Sequence, residues 1–205
     1  MLLEGKVAIV TGGARGIGAC ISRTLARHGA TVAVVYSASA AKSEVVVGEI
    51  EAAGGKAAAF CADVRDEAAV NAMVEAVVAR FGRIDGLVNN AIAGRQNASF
   101  DDATWSDYQD MLDFGCKAVV NTIRAVRPVM KANGGGRVVN CVTELWNMAP
   151  RGWSTYLSGK GAMVGLSRSL AEELGPDGIT VNMVAPGWMQ DEKVEIGRAS
   201  WRERG

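Results

Sequence analysis

Val7-Ala8-Ile9-Val10-Thr11-Gly12-Gly13-Ala14-Arg15-Gly16-Ile17-Gly18 opens on an apolar run, passes through a glycine cluster and enters a segment in which Ile21 and Leu25 recur at helical spacing. That order reads as a strand, a tight turn and a helix N-terminus. Glycines at 12, 16 and 18 carry no Cβ to hold an anion away from the backbone, and a helix start offers unpaired N–H groups at the positive end of its dipole. The loop is therefore built to receive a nucleotide. Its spacing, Gly-x-x-x-Gly-x-Gly, differs from the commoner Gly-x-Gly-x-x-Gly, and a glycine turn also serves simply to connect a strand to a helix. The remaining chain has to decide between the two.

Strand and helix go on alternating as far as the strand expected at 180–185. Strands are expected at 31–35, 56–61, 86–89, 137–141 and 180–185, and helices at 42–53, about 70–81, 104–131 and 154–174. The stripe Val70, Met73, Val74, Val77, Val78 and Phe81 repeats at i, i+3, i+4, i+7, i+8 and i+11, which is one apolar helix face for packing on a sheet. Pro128 is expected to be tolerable only near a helix end. Strands alternating with helices through short connections imply an α/β fold, a doubly wound parallel sheet with its ligand site at the carboxyl ends of the strands.

Composition narrows the function. Lys plus Arg and Asp plus Glu balance at 22 each, with 49% hydrophobic residues, so nothing favours nucleic acid or an anionic membrane surface as partner. Cys20, Cys61, Cys116 and Cys141 are scattered, and His28 is the one histidine, so neither a zinc site nor a disulfide framework is indicated. Glu4 and Lys6 interrupt the N-terminal apolar residues and no apolar run would span a bilayer, from which a cytoplasmic location follows as the expectation.

Tyr156 and Lys160 lie four apart in one helix and share a face. An ammonium beside a phenol favours phenolate and lowers its pKa, making the tyrosine a usable proton donor and acceptor. Alone, such a pair is most often a solvated helix face.

In context the chain resembles the short-chain dehydrogenase/reductase family, from about Gly5 to Gly187. The motifs that carry the resemblance are Thr11-Gly12-x-x-x-Gly16-x-Gly18, Asp63-Val64, Asn89-Asn90-Ala91, Tyr156-x-x-x-Lys160 and Pro186-Gly187, in the family's order and spacing. The resemblance implies a Rossmann-like domain and an NAD(P)-dependent oxidoreductase acting on a ketone or secondary alcohol, with a 3-oxoacyl compound as one candidate. Tyr156 would protonate the carbonyl oxygen and Lys160 would hold the nicotinamide ribose. Asp63 and Val64 would border adenine, and Asn89, Asn90 and Ala91 would line the cofactor cleft. Gly12, Arg15, Gly16, Ile17 and Gly18 would cradle the diphosphate end, with Pro186 and Gly187 on the nicotinamide side.

Several positions depart from the family pattern. Thr143 stands where a catalytic serine is expected, and keeps a hydroxyl at the cost of a stiffer χ1. Gly115 stands at the position of an asparagine that serves a proton relay, an absence shared with some acyl-carrier-protein reductase-like branches. Ile92 replaces a glycine, and Asp191 stands where a threonine often meets the nicotinamide amide. Because Thr143 and Gly115 both alter the usual constellation, a nucleotide-binding protein that does no chemistry is the rival reading.

The second strand ends in Val35-Tyr36-Ser37-Ala38-Ser39 without a carboxylate to bind an adenosine ribose, so NADP is expected over NAD, with Arg15, Ser37 or Ser39 meeting the 2'-phosphate. Trp146, Trp153 and Trp188 fall near Thr143, Tyr156 and Pro186-Gly187, and read equally as an apolar pocket wall or as core or subunit contacts. The resemblance also implies homo-oligomers paired through the helices at 104–131 and 154–174. Residues 195–205 show no periodicity and read as translated sequencing adapter, which makes 1–194 an incomplete domain lacking a substrate lid and a last strand. On that reading the 205-residue chain is expected to aggregate and to have little activity.

Overall fold

A computed structural model of the chain describes residues 1–92 and 97–187. Its strands are β1 (Val7–Thr11), β2 (Thr31–Tyr36), β3 (Lys56–Cys61), β4 (Gly86–Asn89), β5 (Gly136–Cys141) and β6 (Ile179–Val184). Its helices are α1 (Gly16–Arg27), α2 (Ala40–Ala52), α3 (Glu67–Phe81), α4 (Trp105–Leu112), α5 (Ala118–Ala132), α6 (Leu145–Met148) and α7 (Ser154–Leu174). The strands form one parallel sheet in the order β3-β2-β1-β4-β5-β6, which is the doubly wound arrangement the alternation predicts.

Each face of the sheet has its own core. Val10, Val32, Val34 and Ala57 pack with Ala19, Ala26, Val46 and Ile50 of α1 and α2 on one side. Ile9, Ala33, Leu87 and Val138 pack with the α3 stripe, with Val119, Ile123 and Val126 of α5 and with Met163 of α7 on the other. Burial of both faces explains the unbroken apolar strands. The predicted α3 stripe is real: Val70, Met73, Val74 and Val77 are all buried. Asp66 caps that helix by accepting from the Ala68 and Ala69 N–H groups, and Gly82 ends it at φ +79°.

The helix expected over 104–131 is divided. Thr104 and Asp107 form a capping box at the start of α4, but residues Asp113–Lys117 make a π-helical turn before α5 begins. Pro128 lies in α5, four residues before its last residue, Ala132, and so near the helix end as expected. The short α6 between β5 and α7 has no counterpart in the sequence reading; it ends at Ala149, the one non-glycine residue with positive φ (+41°) among the described residues.

The chain reverses strand order between β1 and β4, and there the two loops are tied together. The Thr11 hydroxyl accepts from the N–H groups of Asn90 (2.9 Å) and Ala91 (3.1 Å) and itself donates to the Val88 carbonyl, while Asn90 Nδ2 donates to the Thr11 carbonyl at 3.0 Å. This clamp holds open a crevice above the sheet.

Candidate active site

The crevice is a cavity of about 560 Å³ whose walls include Gly12, Arg15, Gly16, Ile17, Gly18, Ser37, Asp63, Val64, Asn90, Ala91 and Tyr156. The glycine loop fits a phosphate cradle. Gly12 has φ +62°, and a Cβ on it would lie 3.0 Å from Ala91 Cα; a Cβ on Gly18 would fall on the Gly12 carbonyl. Gly16, with φ +49°, meets nothing within 4 Å, leaving its backbone open on the cavity side. No side chain caps α1 and its first turn carries no acid, so its N–H groups remain available for an anion. The residues present therefore fit a dinucleotide.

At one end, Arg15, Ser37, Ser39 and Lys42 share the wall. Lys42 went unnoticed in the sequence, although a basic residue in the first turn of a helix, where acids are commoner, was the available signal. Farther along, Arg65 engages Asp63 through both guanidinium and backbone: Nε reaches Oδ1 at 3.1 Å, the backbone N–H reaches Oδ1 at 3.0 Å and Nη2 reaches Oδ2 at 2.8 Å. These bonds hold the Asp63 carboxyl below its ordinary pKa. The same guanidinium lies over the Phe114 ring at 4.8 Å, and Phe114 is itself part of the cavity wall.

Tyr156 is on the cavity wall, whereas Thr143 and Lys160 are buried and are not among the wall residues. Thr143, just past β5, is buried, and its Oγ1 accepts from the Leu145 N–H at 3.2 Å. The backbone contact occupies an acceptor site and leaves the hydroxyl proton to be donated elsewhere. Tyr156 and Thr143 are hydrogen-bonded through their side chains. Lys160 is 5% exposed, donates from Nζ to the Cys141 carbonyl at 2.5 Å and lies 5.7 Å from the centroid of the Tyr156 ring. Burial lowers its pKa to about 8.

The Tyr156 phenol departs from the sequence expectation. Its pKa is raised: loss of water dominates, and the Thr143 hydrogen bond opposes this without overcoming it. The phenol is half-buried in the cleft, and that burial outweighs the groups around it that favour the ionised form.

Asn89 does not line the cleft as expected. Its side chain turns into the core, donating to Asn140 Oδ1 at 2.9 Å and accepting from Thr122 Oγ1 at 2.8 Å. Pro186 holds the loop after β5 by accepting at its carbonyl from the Glu144 N–H, and Gly187 is exposed. Ile92 joins the cavity wall at the position of the family's glycine. Trp153 packs edge-on against Tyr156 with centroids 5.5 Å apart, Trp146 lies over Gly161 of α7, and Trp105 stacks on Tyr108. Trp188, Asp191 and the segment 195–205 lie outside the described residues.

The short chain dehydrogenase family model matches residues 6–200. The chain belongs to the short-chain dehydrogenase/reductase family. It is 38% identical over 190 residues to the 3-oxoacyl-acyl-carrier-protein reductase FabG of Staphylococcus aureus, covering 93% of this chain and 77% of that protein. Among solved structures it is similar to a short-chain dehydrogenase from Burkholderia cenocepacia in complex with NADP, at 42% identity, a TM-score of 0.87 and coverage of 94% and 78% of the two chains. It is also similar to an NAD+-bound xylitol dehydrogenase, at 30% identity, a TM-score of 0.87 and coverage of 93% and 73%. As a short-chain dehydrogenase/reductase, the protein is an NAD(P)-dependent oxidoreductase. Among the described residues there is no group of metal-binding side chains and no helix long and apolar enough to cross a membrane.

Proposed function

We propose that the protein is a carbonyl reductase that prefers NADP, interconverting a ketone and its secondary alcohol, with 3-oxoacyl compounds as the first substrate class to try. The hydrogen-bonded Tyr156–Thr143 pair, with Tyr156 on the cleft wall and Lys160 anchored behind it, carries this reading. The bound nicotinamide supplies the hydride. Thr143 donates its hydroxyl proton to the substrate oxygen and orients it, because Leu145 already occupies an acceptor site on Oγ1. Tyr156 delivers a proton to that oxygen as negative charge develops on it. Lys160, protonated below about pH 8, stabilises the phenolate left behind and lies within the same helix turn for a ribose hydroxyl.

For the cofactor, Gly12, Gly16, Ile17 and Gly18 take the diphosphate, Asn90 and Ala91 form the facing wall, and Asp63 and Val64 border the adenine. Arg15, Ser37, Ser39 and Lys42 meet the 2'-phosphate, and the 42% identity to a chain in complex with NADP supports that preference. Self-association through the outward faces of α4, α5 and α7, and a cytoplasmic location, complete the proposal.

The test pairs two variants with a ketone panel. Tyr156→Phe is expected to lower turnover by about 10²–10⁴-fold while leaving NADPH affinity within about twofold, since only the transferable proton is lost. Arg15→Ala is expected to cost about tenfold in NADPH affinity and to leave NADH affinity unchanged. Turnover at the wild-type rate in Tyr156→Phe would remove the assignment, and equal wild-type affinities for NADPH and NADH would remove the cofactor preference.

A further inference from the structure

Gly115 is buried in the π turn, and a Cβ added to it would fall on the Gly159 carbonyl oxygen and lie 2.5 Å from the carbonyl carbon and 2.9 Å from Cα. The same crossing is closed from the other side. A Cβ on Gly159 would strike the Met111 carbonyl, 2.7 Å from its carbon. Both obstacles are backbone, so no rotamer change relieves them. By contrast Gly165, in the same α7, meets nothing within 4 Å.

Gly159 lies between Tyr156 and Lys160, and the peptide pressed by the π turn is the one that leads into Lys160. Across α7, Lys160 reaches the Cys141 carbonyl and Tyr156 reaches Thr143, both at the carboxyl end of β5. The segment Tyr156–Lys160 is thus fixed between the π turn on one side and β5 on the other. Any side chain in the crossing must displace α7 sideways, and a displacement of about 1 Å at reacting groups costs on the order of 10²-fold in rate.

We propose that Gly115 and Gly159 are positioning residues, a crossing without side chains that sets α7 where Tyr156 and Lys160 both meet β5. This rests on the catalytic reading of Tyr156 and Lys160 above. It follows that Gly115→Asn, which restores the residue usual at this position in the family, harms the enzyme and does not improve it.

The experiment compares Gly115→Ala, Gly115→Asn and Gly159→Ala with the control Gly165→Ala in the 205-residue chain, reading turnover, NADPH affinity by fluorescence, thermal midpoint and amide hydrogen exchange over 156–160. The three crossing variants are expected to keep NADPH affinity within about threefold, to lose about 10–100-fold in kcat and to exchange faster over 156–160, with Gly165→Ala like wild type. Wild-type kcat in either alanine variant, or a Gly115→Asn enzyme faster than wild type, overturns the proposal. So does a parallel loss of thermal midpoint, NADPH affinity and kcat, or failure of all three to fold while Gly165→Ala folds, since either outcome makes the contact merely structural. If Tyr156→Phe retains turnover, the catalytic reading fails separately, and unchanged exchange over 156–160 in both alanine variants then overturns the positioning role by itself.

Discussion

Lys160 holds an ammonium almost wholly out of water, with the Cys141 carbonyl as its hydrogen-bond acceptor. Burial disfavours the charged form and brings the pKa to about 8, against roughly 10.4 for a free lysine. Between these values the unfolded chain binds more protons than the folded one, so stability rises with pH. The penalty is fully present below about pH 8 and is relieved as pH climbs past the unfolded value. Relative to Lys160→Met, wild type should therefore gain up to about 3 kcal/mol between roughly pH 8 and pH 10.5, at 1.36 kcal/mol per pKa unit. Denaturant unfolding of both proteins across that range checks this. A difference independent of pH would mean that Lys160 is not held against its charge. Retaining so costly a group one helix turn from Tyr156, which is on the cleft wall, fits chemical use.

At the scale of elements, β5 and α7 must hold their spacing for Thr143 and Tyr156 to meet. Beneath that pair, Asn140 Nδ2 donates to Ser167 Oγ at 2.7 Å, and Ser167 donates to the Met163 carbonyl one turn earlier in α7. Asn140 also accepts from Asn89, which accepts from Thr122 of α5, so one buried chain of hydrogen bonds ties β4, β5, α5 and α7. Ser167→Ala would leave the fully buried Asn140 amide without that acceptor, a loss of about 1–3 kcal/mol. Thermal melts should show a fall of roughly 3–10 °C for Ser167→Ala and a smaller one for Ser167→Thr, which keeps the hydroxyl. A Ser167→Ala midpoint equal to wild type would show that the brace contributes nothing. The division of the 104–131 helix belongs to the same scale. Nothing in the residue types at Asp113–Lys117 announces the division, because a π turn adds one residue to a helical turn and needs no proline or helix-ending motif.

Over the whole molecule, no buried side-chain nitrogen or oxygen among the described residues lacks a hydrogen-bond partner, so the interior is settled. The surface is less so: Phe100 is 79% exposed, Trp105 67%, Trp146 55% and Met148 51%. Large apolar groups left in water favour association with another surface. The proposed homo-oligomer predicts that static light scattering at micromolar concentration gives a mass at least twice that of one chain, falling toward one chain in Trp105→Ser, whose side chain is exposed on α4. A wild-type monomer under those conditions would remove self-association from the proposal.

The sequence by itself determined what depends on neighbours along the chain. Short unbroken apolar runs and a helical period of 3.6 gave the order of strands and helices, hence the sheet and the crevice between β1 and β4; the glycines marked the cradle, and spacing put Tyr156 and Lys160 on one helix face. Only tertiary structure decided what depends on residues far apart in sequence. It turned Asn89 inward to Asn140, put Lys42 on the wall of the same cavity as Arg15 and seated the Arg65 guanidinium between the Asp63 carboxylate and the Phe114 ring. It also raised the Tyr156 pKa, because burial is a property of the packed cleft, and gave the glycine at 115 its meaning, because Gly159 lies 44 positions away along the chain and directly against it in space.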